Sequence, residues 1–188
     1  MSLYEEISNY KPFCEQEERD KAQMLEFIRR NPNDSLLREN LTAHFSASGW
    51  VVNEERTKIL MVYHNLYNSW AWTGGHADGM EDMRSVAMKE LMEETGVRNA
   101  RFVSEDIFSL ETLTVDGHMK KGIYVPSHLH FNITYLIEAD ESEKLITKPD
   151  ENKGVKWFGI EEALTAPSEK WMIAHIYKKM LQKMGKSC

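Results

Sequence analysis

The sequence predicts an α/β or α+β layered domain, because strand patterns and helix patterns are interleaved along it. Residues 44–53 and 58–64 are β-rich runs separated by the polar stretch NEERT, which is typical of a hairpin turn. Residues 14–30 and 168–184 instead carry apolar side chains at helical spacing, and Asn31-Pro32 ends the first of these helices. The expected fold therefore has a helix near each end and a sheet between them.

The remaining strands are predicted in the second half of the chain. They are expected at 101–115, as one or two strands, at 128–140 and at 155–160, with a helical turn at 161–164. Residues 116–127 are expected to form a loop, and the acidic residues 141–154 a solvated loop. These elements divide the chain into an N-terminal helical extension, residues 1–41, and a domain with a C-terminal helix, residues 42–188.

The composition indicates one domain that does not bind nucleic acid. A chain of 188 residues with 41% hydrophobic content is long enough for one packed core. The formal net charge of −7 argues against contact with a phosphate backbone, although metal ions can still carry positive charge to a phosphate. Cys14 and Cys188 are too far apart in sequence for a CxxC pair, so a reducing, cytoplasmic setting is expected. No apolar run is long enough for a bilayer, and the acidic N-terminus does not resemble a signal peptide.

The helix predicted from residue 83 to residue 94 places carboxylates on its apolar face. That face gathers Met83, Val86, Ala87 and Leu91. Glu90 and Glu94 are stacked four residues apart within it, and Glu93 lies at its edge. Burying an ionised carboxylate without a partner is costly, so a cation is expected beside these residues. Lys89 reaches Glu93 but does not easily serve three carboxylates, whereas Mg²⁺ prefers oxygen ligands. The alternative is a solvated face, neutralised in part by Lys89 and Arg84.

Two adjacent glycines, Gly74 and Gly75, precede this helix. Glycine permits backbone conformations closed to other residues and lets a backbone group approach a ligand closely. A plain turn is the alternative for an isolated pair of glycines. Next to a helix with inward-facing carboxylates, the pair favours a ligand site.

The stretch from Gly75 to Val97 resembles the box of the Nudix hydrolase family, G-x5-E-x7-R-E-U-x-E-E-x-G-U, where U is aliphatic. The matching positions are Gly75, Glu81, Glu90, Leu91, Glu93, Glu94, Gly96 and Val97. Lys89 stands where the family usually has Arg. So many fixed positions in one span are a specific signal. The resemblance implies an αβα sandwich with a mixed sheet, and hydrolysis of a diphosphate linkage in a nucleoside diphosphate derivative.

The resemblance also implies the residues of the site. Glu90, Glu93 and Glu94 correspond to ligands of Mg²⁺ or Mn²⁺, or to their immediate supports, and Gly74 offers a backbone carbonyl. Among these positions, Glu90 and Glu94 correspond most directly to metal ligands of the family. The resemblance also assigns Lys89 a catalytic role beside them. Arginine can form two parallel hydrogen bonds with a glutamate, whereas lysine supplies only a point charge. Lys89 therefore either reduces the activity or is sufficient for it.

A further carboxylate is expected after the box. In several relatives of the family the general base, or another metal ligand, is a glutamate on a loop shortly before a Trp-bearing strand. Glu151, ahead of Trp157, corresponds to that place, and an ordinary acidic loop residue is the equal alternative.

Two histidines on one strand face are candidate substrate contacts, together with Gly75. His128 and His130 alternate with apolar residues, so their imidazoles share one face of a strand and can bind phosphate or a metal. A strand with satisfied histidines is the alternative. His44 and His76 are weaker candidates.

Three functions of this family remain open on the sequence. A diphosphohydrolase with a small nucleoside diphosphate-type substrate is favoured, and a catalytically weak or silent module that binds nucleotides is the alternative, because of Lys89 and the unassigned base. An isomerase that acts on isopentenyl diphosphate requires a cysteine near the first glycines, and both cysteines lie far from them in sequence. The N-terminal extension is expected to pack as a helix, with a homodimer contact or a cover over the substrate pocket as alternatives.

Overall fold

Two helices open the chain, and the strands of a sheet follow them. The computed structural model describes residues 1–120 and 122–185. The helices are α1 (Leu3–Asn9), α2 (Glu15–Arg30), α3 (Met83–Thr95), α4 (Ile160–Ala163), α5 (Lys170–Met172), the π-helical segment Ile173–Tyr177, and α6 (Lys178–Lys183). The strands are β1 (Ala43–Val52), β2 (Lys58–His64), β3 (Ser69–Ala71), β4 (Thr73–His76), β5 (Ala100–Phe102), β6 (Ser109–Val115), β7 (His118–Lys120), β8 (Ile123–Val125), β9 (His128–Ala139) and β10 (Asn152–Gly159).

Most of the strands join one mixed sheet with a parallel pair at its centre. The order is β10-β2-β1-β9-β5, and β3, β4 and β6 pair with β2, β1 and β9. Strands β1 and β9 are parallel over their whole length, from Ala43 opposite Leu129 to Val52 opposite Glu138. The other pairs are antiparallel, and β7 and β8 form a separate hairpin.

Helices cover both faces of this sheet. Successive side chains of a strand point to opposite faces, and β1 follows this rule. Phe45 and Ala47 lie in a core with α1, α2 and α3. Trp50 and Val52 lie in a second core with the C-terminal helices, where the Trp50 ring stacks on Tyr177 with the centroids 5.5 Å apart. The αβα layering with a mixed sheet, expected from the sequence, is confirmed.

The N-terminal extension contributes directly to the first core. Leu3, Ile7 and Met24 are buried there. Helix α1 was not predicted, because only a few of its residues are apolar; its sequence signal is the capping box of Ser2 and Glu5. The Leu3 N–H also donates to the Glu81 carboxylate (3.1 Å), so the extension contacts the box.

Three segments differ from their predicted structure. Residues 116–127, expected to be a loop, contain the β7–β8 hairpin, in which Lys121 lies outside the described residues. The expected loop 141–154 ends in strand β10, whose first residue, Asn152, is buried. The two glycines form part of a strand, β4, rather than a plain turn.

The expected cellular compartment rests on the two cysteines and on the lack of a long apolar run. Cys14 is unpaired and caps α2, and Cys188 lies outside the described residues. Among residues 1–120 and 122–185, none of the helices combines the length and the apolar character that a bilayer span requires.

The packing of α1 leads to a prediction about stability. Replacing Ile7, which is fully buried, with Ala removes methylene contacts from the first core and should lower the free energy of unfolding by about 2–5 kcal/mol. Tyr4 lies on the exposed side of the same helix, so Tyr4→Ala should change it by less than about 1 kcal/mol. Chemical denaturation of both variants measures the difference, and equal stabilities would show that α1 does not contribute to the core.

Candidate active site

Helix α3 carries the glutamates of the box, and its ends are set by two residues. The Asp82 carboxylate accepts a hydrogen bond from the Ser85 N–H (3.3 Å), which caps the N-terminus. Gly96 ends the helix with a φ of 78°, a conformation that L side chains rarely adopt. The buried residues between them are Met83, Val86, Ala87, Leu91, Glu94 and Thr95. The apolar face therefore packs on the sheet as the helical wheel predicts, and Glu94 belongs to it.

The side chain of Glu94 is held between β4 and α3. Only 1% of its surface is exposed. Its carboxylate accepts a hydrogen bond from the Gly74 N–H (3.0 Å), and its backbone carbonyl accepts one from the Asn152 side chain (2.9 Å). Glu94 therefore connects β4, which contains the two glycines, with α3 and with the start of β10.

The side chain of Glu90 lies against Gly75. Its carboxyl group fills the space where a side chain at position 75 would begin, and a Cβ there would overlap with the carboxyl carbon. A Cβ at Gly74 would instead overlap with the Ser48 hydroxyl on the other face of β4. Both positions therefore require glycine, for reasons on opposite faces of the strand.

The two inward-facing carboxylates differ in their charged neighbours, because Lys89 pairs with Glu90 whereas Glu94 has no ion pair among the described residues. Burial raises the pKa of Glu94 to about 8, against the hydrogen bond from Gly74, and the charges of Glu90 and Glu151 act in the same direction as burial. Burial also raises the pKa of Glu90, although Lys89, with Nζ 3.7 Å from the carboxylate, opposes it. Raised pKa values of neighbouring carboxylates are typical of a site that binds a cation.

The outer part of the site is a chain of ion pairs that includes Glu93 and Glu151. The Lys148 Nζ lies 3.0 Å from each of these carboxylates, and the Lys89 Nζ lies 3.8 Å from Glu93. The hydrogen bond from Lys148 lowers the pKa of Glu93, whose side chain is 42% exposed. The sequence reasoning missed Lys148, because its position in a charged loop distinguishes it from no other lysine.

The oxygen donors in this part of the chain fit a hard divalent cation. The Glu94 carboxylate lies at the Gly74 N–H and the Glu90 carboxyl group against Gly75, with Glu93 and Glu151 at the rim. Mg²⁺ takes such oxygen ligands and keeps several waters. The uncompensated burial of Glu94 is the observation that favours a cation here.

The second group of site residues, His128 and His130, lies on the other face of β4. Gly75 faces Glu90, and alternation turns His76 to the opposite face, towards β1 and β9. There the rings of His44, His76, His128 and His130 form a group, with neighbouring centroids 4.8–5.1 Å apart. Burial lowers the pKa of His76 to about 3 and that of His130 to about 2, so these imidazoles are neutral.

The loop between β4 and α3 is fixed by an ion pair at its tip. Asp78 has a φ of 47° and accepts hydrogen bonds from both Nε and Nη2 of the Arg38 guanidinium. Gly79 follows with a φ of 85°, and its N–H donates to the Leu36 carbonyl (3.0 Å). Asp78 therefore shapes the turn and anchors it to the N-terminal extension.

Comparison with known protein families shows the family to which this chain belongs. The NUDIX domain family model matches residues 42–183, which include all of the sheet and the box helix. The chain belongs to the NUDIX domain family. At the level of the family, this supports a nucleotide diphosphate hydrolase, and members of the family generally use divalent metal ions.

Individual relatives agree with this membership. Nucleoside diphosphate-linked moiety X motif 6 from Xenopus laevis is 30% identical over 84 residues, which are 44% of this chain and 38% of that protein. This chain thus aligns with well under half of that relative. Among solved structures, a C. elegans Ap4A hydrolase in a binary complex has a TM-score of 0.54 at 19% identity, covering 75% of this chain and 94% of that one. A NUDIX family hydrolase from Clostridium perfringens has the same TM-score at 20% identity, covering 75% and 97%. The two structures share the fold with this chain.

The raised pKa of Glu94 predicts how stability depends on pH in the metal-free protein. An unfolded chain releases the proton of this group near pH 4.5, whereas the folded chain keeps it to about pH 8. Unfolding therefore releases a proton between these values, so stability should fall as the pH rises through this window and level off above it. The total loss should be about a few kcal/mol.

The measurement is the free energy of unfolding of the chelator-treated protein across this pH range. Glu94→Gln removes the titrating group and should have a flatter profile than wild type. Glu161→Gln, an exposed carboxylate on α4, is the matched control and should follow wild type. Parallel profiles for wild type and Glu94→Gln would contradict the assignment.

Proposed function

We propose that this chain is a metal-dependent hydrolase that cleaves a diphosphate linkage in a nucleoside diphosphate derivative by attack of water at phosphorus. The observation that carries the proposal is the burial of Glu94 beside β4, next to the half-buried Glu90, with no ion pair between Glu94 and a lysine or arginine among the described residues. Membership in the NUDIX domain family supports it independently.

The proposed metal is Mg²⁺ or Mn²⁺. Its ligands are proposed to be Glu90, Glu94 and the Gly74 carbonyl, with Glu93 as a further ligand or support. Such an ion supplies positive charge to the phosphate oxygens and acidifies the attacking water. The hydrogen bond from the Gly74 N–H orients the Glu94 carboxylate before any ligand arrives, which reduces the cost of assembling the site.

The protein groups around this position have distinct proposed roles. Lys89 lies near Glu90 and Glu93 and steadies both as a point charge in place of the usual arginine. Glu151 is proposed to accept the proton of the attacking water. Lys148 holds Glu151 and Glu93 at the rim, and it must release Glu151 for that step.

The substrate is proposed to be a small nucleoside diphosphate-type molecule. Gly75, His128 and His130 are proposed as substrate contacts. The two histidines lie across β4 from Glu90, so they are proposed to contact a part of the substrate that is not cleaved. The acidic net charge supports the absence of a nucleic acid partner, and a cytoplasmic location without a membrane partner is part of the same proposal. Residues 1–41 are proposed as an extension packed on a domain of residues 42–188, and a homodimer through the extension is the alternative to a monomer.

A catalytically silent module that binds nucleotides is the second candidate. The feature that favours this candidate is Lys89, since lysine cannot form the bidentate hydrogen bonds that arginine forms with a glutamate. All box glutamates are nevertheless retained, which favours the hydrolase. An isomerase is disfavoured, because Cys14 caps α2 in the N-terminal extension and no cysteine lies between residues 15 and 187.

The first test is a phosphate-release screen over nucleoside diphosphate sugars, dinucleoside polyphosphates, ADP-ribose and damaged nucleotides, with Mg²⁺ and with Mn²⁺. Glu94→Gln should lower kcat by at least about 100-fold on any substrate that wild type turns over, because it removes a charge that meets the metal. Glu161→Gln should retain wild-type rates.

Two results would count against the proposed mechanism. Turnover by Glu94→Gln at the wild-type rate would exclude the box carboxylate from the reaction. Tight nucleotide binding by wild type without turnover on the whole panel would favour the silent module.

The second test concerns the general base. Glu151→Gln should lower kcat by about 100- to 10,000-fold with little change in KM, since it removes proton transfer but keeps the shape of the side chain. Asp150 is the exposed neighbour of Glu151, so Asp150→Asn is a matched control with an expected loss of less than about threefold. Steady-state kinetics on the best substrate of the screen compares kcat and KM of the two variants. Equal rates for both variants would show that Glu151 is an ordinary loop residue.

A further inference from the structure

Four histidines from three strands meet on the face of β4 that is turned away from Glu90. His44 comes from β1, His76 from β4, and His128 and His130 from β9; we refer to these four residues as the histidine cluster. The sheet register brings them together, because His44 lies opposite His130 and Ser46 lies opposite both His76 and Asn132. One ring nitrogen each from His44, His76 and His130 lies within 4.8 Å of the other two.

Hydrogen bonds to backbone carbonyls fix the tautomers of two of these rings. The His44 Nδ1 is 3.1 Å from the Asn40 carbonyl, and the His128 Nδ1 is 2.8 Å from the Pro126 carbonyl. A carbonyl only accepts, so each Nδ1 carries the proton and each Nε2 carries a lone pair. The His44 lone pair is therefore available to a cation or a donor, since the His44 Nε2 has no hydrogen-bond partner.

The lone pair of His44 is buried and has no partner. His44 is 2% exposed, and its Nε2 has no hydrogen bond. An unsatisfied buried polar atom costs about 1–3 kcal/mol. On β9, the His130 Nε2–H donates to the His128 Nε2 lone pair (3.2 Å), which leaves the His130 Nδ1 lone pair for an ion. The histidine cluster thus combines fixed tautomers with an unused, inward-directed nitrogen.

We propose that His44, His76 and His130 bind one first-row transition-metal ion of the class that prefers imidazole, with Zn²⁺ as the reference ion. Imidazole nitrogens suit Zn²⁺, Co²⁺, Ni²⁺ and Cu²⁺, whereas Mg²⁺ prefers oxygen. Three histidines leave a fourth position open. His128 is a positioning residue that contacts His130, and the Asn40 carbonyl orients His44 in the way that a ligating histidine requires.

The spacing of the ring nitrogens is compatible with such an ion. Bonds of about 2.0–2.1 Å to a tetrahedral ion place two ligand atoms about 3.3 Å apart. The separations of up to 4.8 Å therefore close by side-chain rotation without a new fold. Arg38 and Lys120 are cations whose charge opposes an ion here, and the Arg38 Nε and Nη2 already donate hydrogen bonds to Asp78.

This position is separate from the proposed carboxylate site for the hydrolytic metal, and an ion on His130 would take the place of the substrate contact proposed for that residue. Strand β4 lies between them, with Gly75 facing Glu90 and His76 facing the opposite way. An anion such as phosphate is the competing ligand, but the unpartnered His44 Nε2 presents a lone pair, which an anion does not accept. The geometry therefore favours a metal, and metal binding does not depend on whether the chain hydrolyses diphosphates.

The experiment uses the full chain without an affinity tag, stripped with a chelator and then titrated with Zn²⁺ in competition with a chromophoric chelator. We expect about one tightly bound Zn²⁺ per chain at the histidine cluster. His44→Gln and His130→Gln should each weaken this binding by at least about 100-fold, more than the loss of an outer partner causes. His175→Gln, which changes an exposed histidine of the C-terminal helix, is the matched control and should bind as wild type does.

Glu94→Gln distinguishes the two sites. It should retain the tight Zn²⁺ while losing turnover. Loss of the Zn²⁺ in Glu94→Gln with retention in both cluster variants would assign the ion to the carboxylates and overturn the proposal. A wild-type protein that takes up no Zn²⁺, but in which His130→Gln weakens binding of inorganic phosphate, would overturn it in favour of an anion site.

Co²⁺ added to the wild-type chain gives a readout that does not depend on the folding of any variant. Intense visible absorption of a low-coordinate Co²⁺, with imidazole scattering in its X-ray absorption spectrum, supports the proposal. A spectrum of a six-coordinate ion with oxygen ligands alone contradicts it.

Discussion

The hydrogen bond from the Gly74 N–H to the Glu94 carboxylate joins the elements from which the site is built. It closes β4 onto α3, and the Asn152 side chain on the carbonyl of the same glutamate adds the start of β10. Because Glu94 is buried, its carboxyl group has no access to bulk water, and the neighbouring groups decide whether it can carry a charge. Gly75 accommodates the second carboxylate, since any side chain at that position would displace Glu90. The inward-facing glutamates thus depend on the glycine pair, because Glu94 bonds to the Gly74 N–H and Glu90 occupies the space beside Gly75.

A second group of buried carboxylates shows how the same fold treats acidic residues with a structural role. Glu17 and Glu111 are fully buried, and the Lys179 Nζ lies 3.2 Å from one and 3.1 Å from the other. Lys183 and Tyr10 add hydrogen bonds to Glu17 which, against the effect of burial, lower its pKa to about 2. Buried charges are normally paired in this way, because desolvation is otherwise uncompensated. In the part of the chain that the structure describes, no lysine pairs with Glu94, and its pKa moves in the opposite direction, which supports a ligand as its partner.

The predictable parts of the fold are those with long, regular periodicity. Helix α2 and strands β1, β2 and β9 follow their apolar patterns over many residues, so their positions were predicted closely. Helix α1 and the β7–β8 hairpin are too short for a pattern to identify them, and tertiary contacts stabilise α1. In the site, the inward orientation of Glu90 and Glu94 follows from the helical wheel alone. The meeting of His44 and His76 with His130 does not, because it requires the parallel pairing of β1 with β9 and the antiparallel pairing of β1 with β4.

Strand β4 separates two donor sets of different chemical preference. On one face, carboxylate oxygens favour a hard cation that keeps part of its water, and on the other, imidazole nitrogens favour a borderline cation that gives up its water more readily. Selectivity between such ions follows from ligand type and geometry, because affinity alone would let zinc occupy both sets. The alternation of Gly74, Gly75 and His76 along one short strand is therefore sufficient to hold the two sets close together while each keeps its own ligand chemistry.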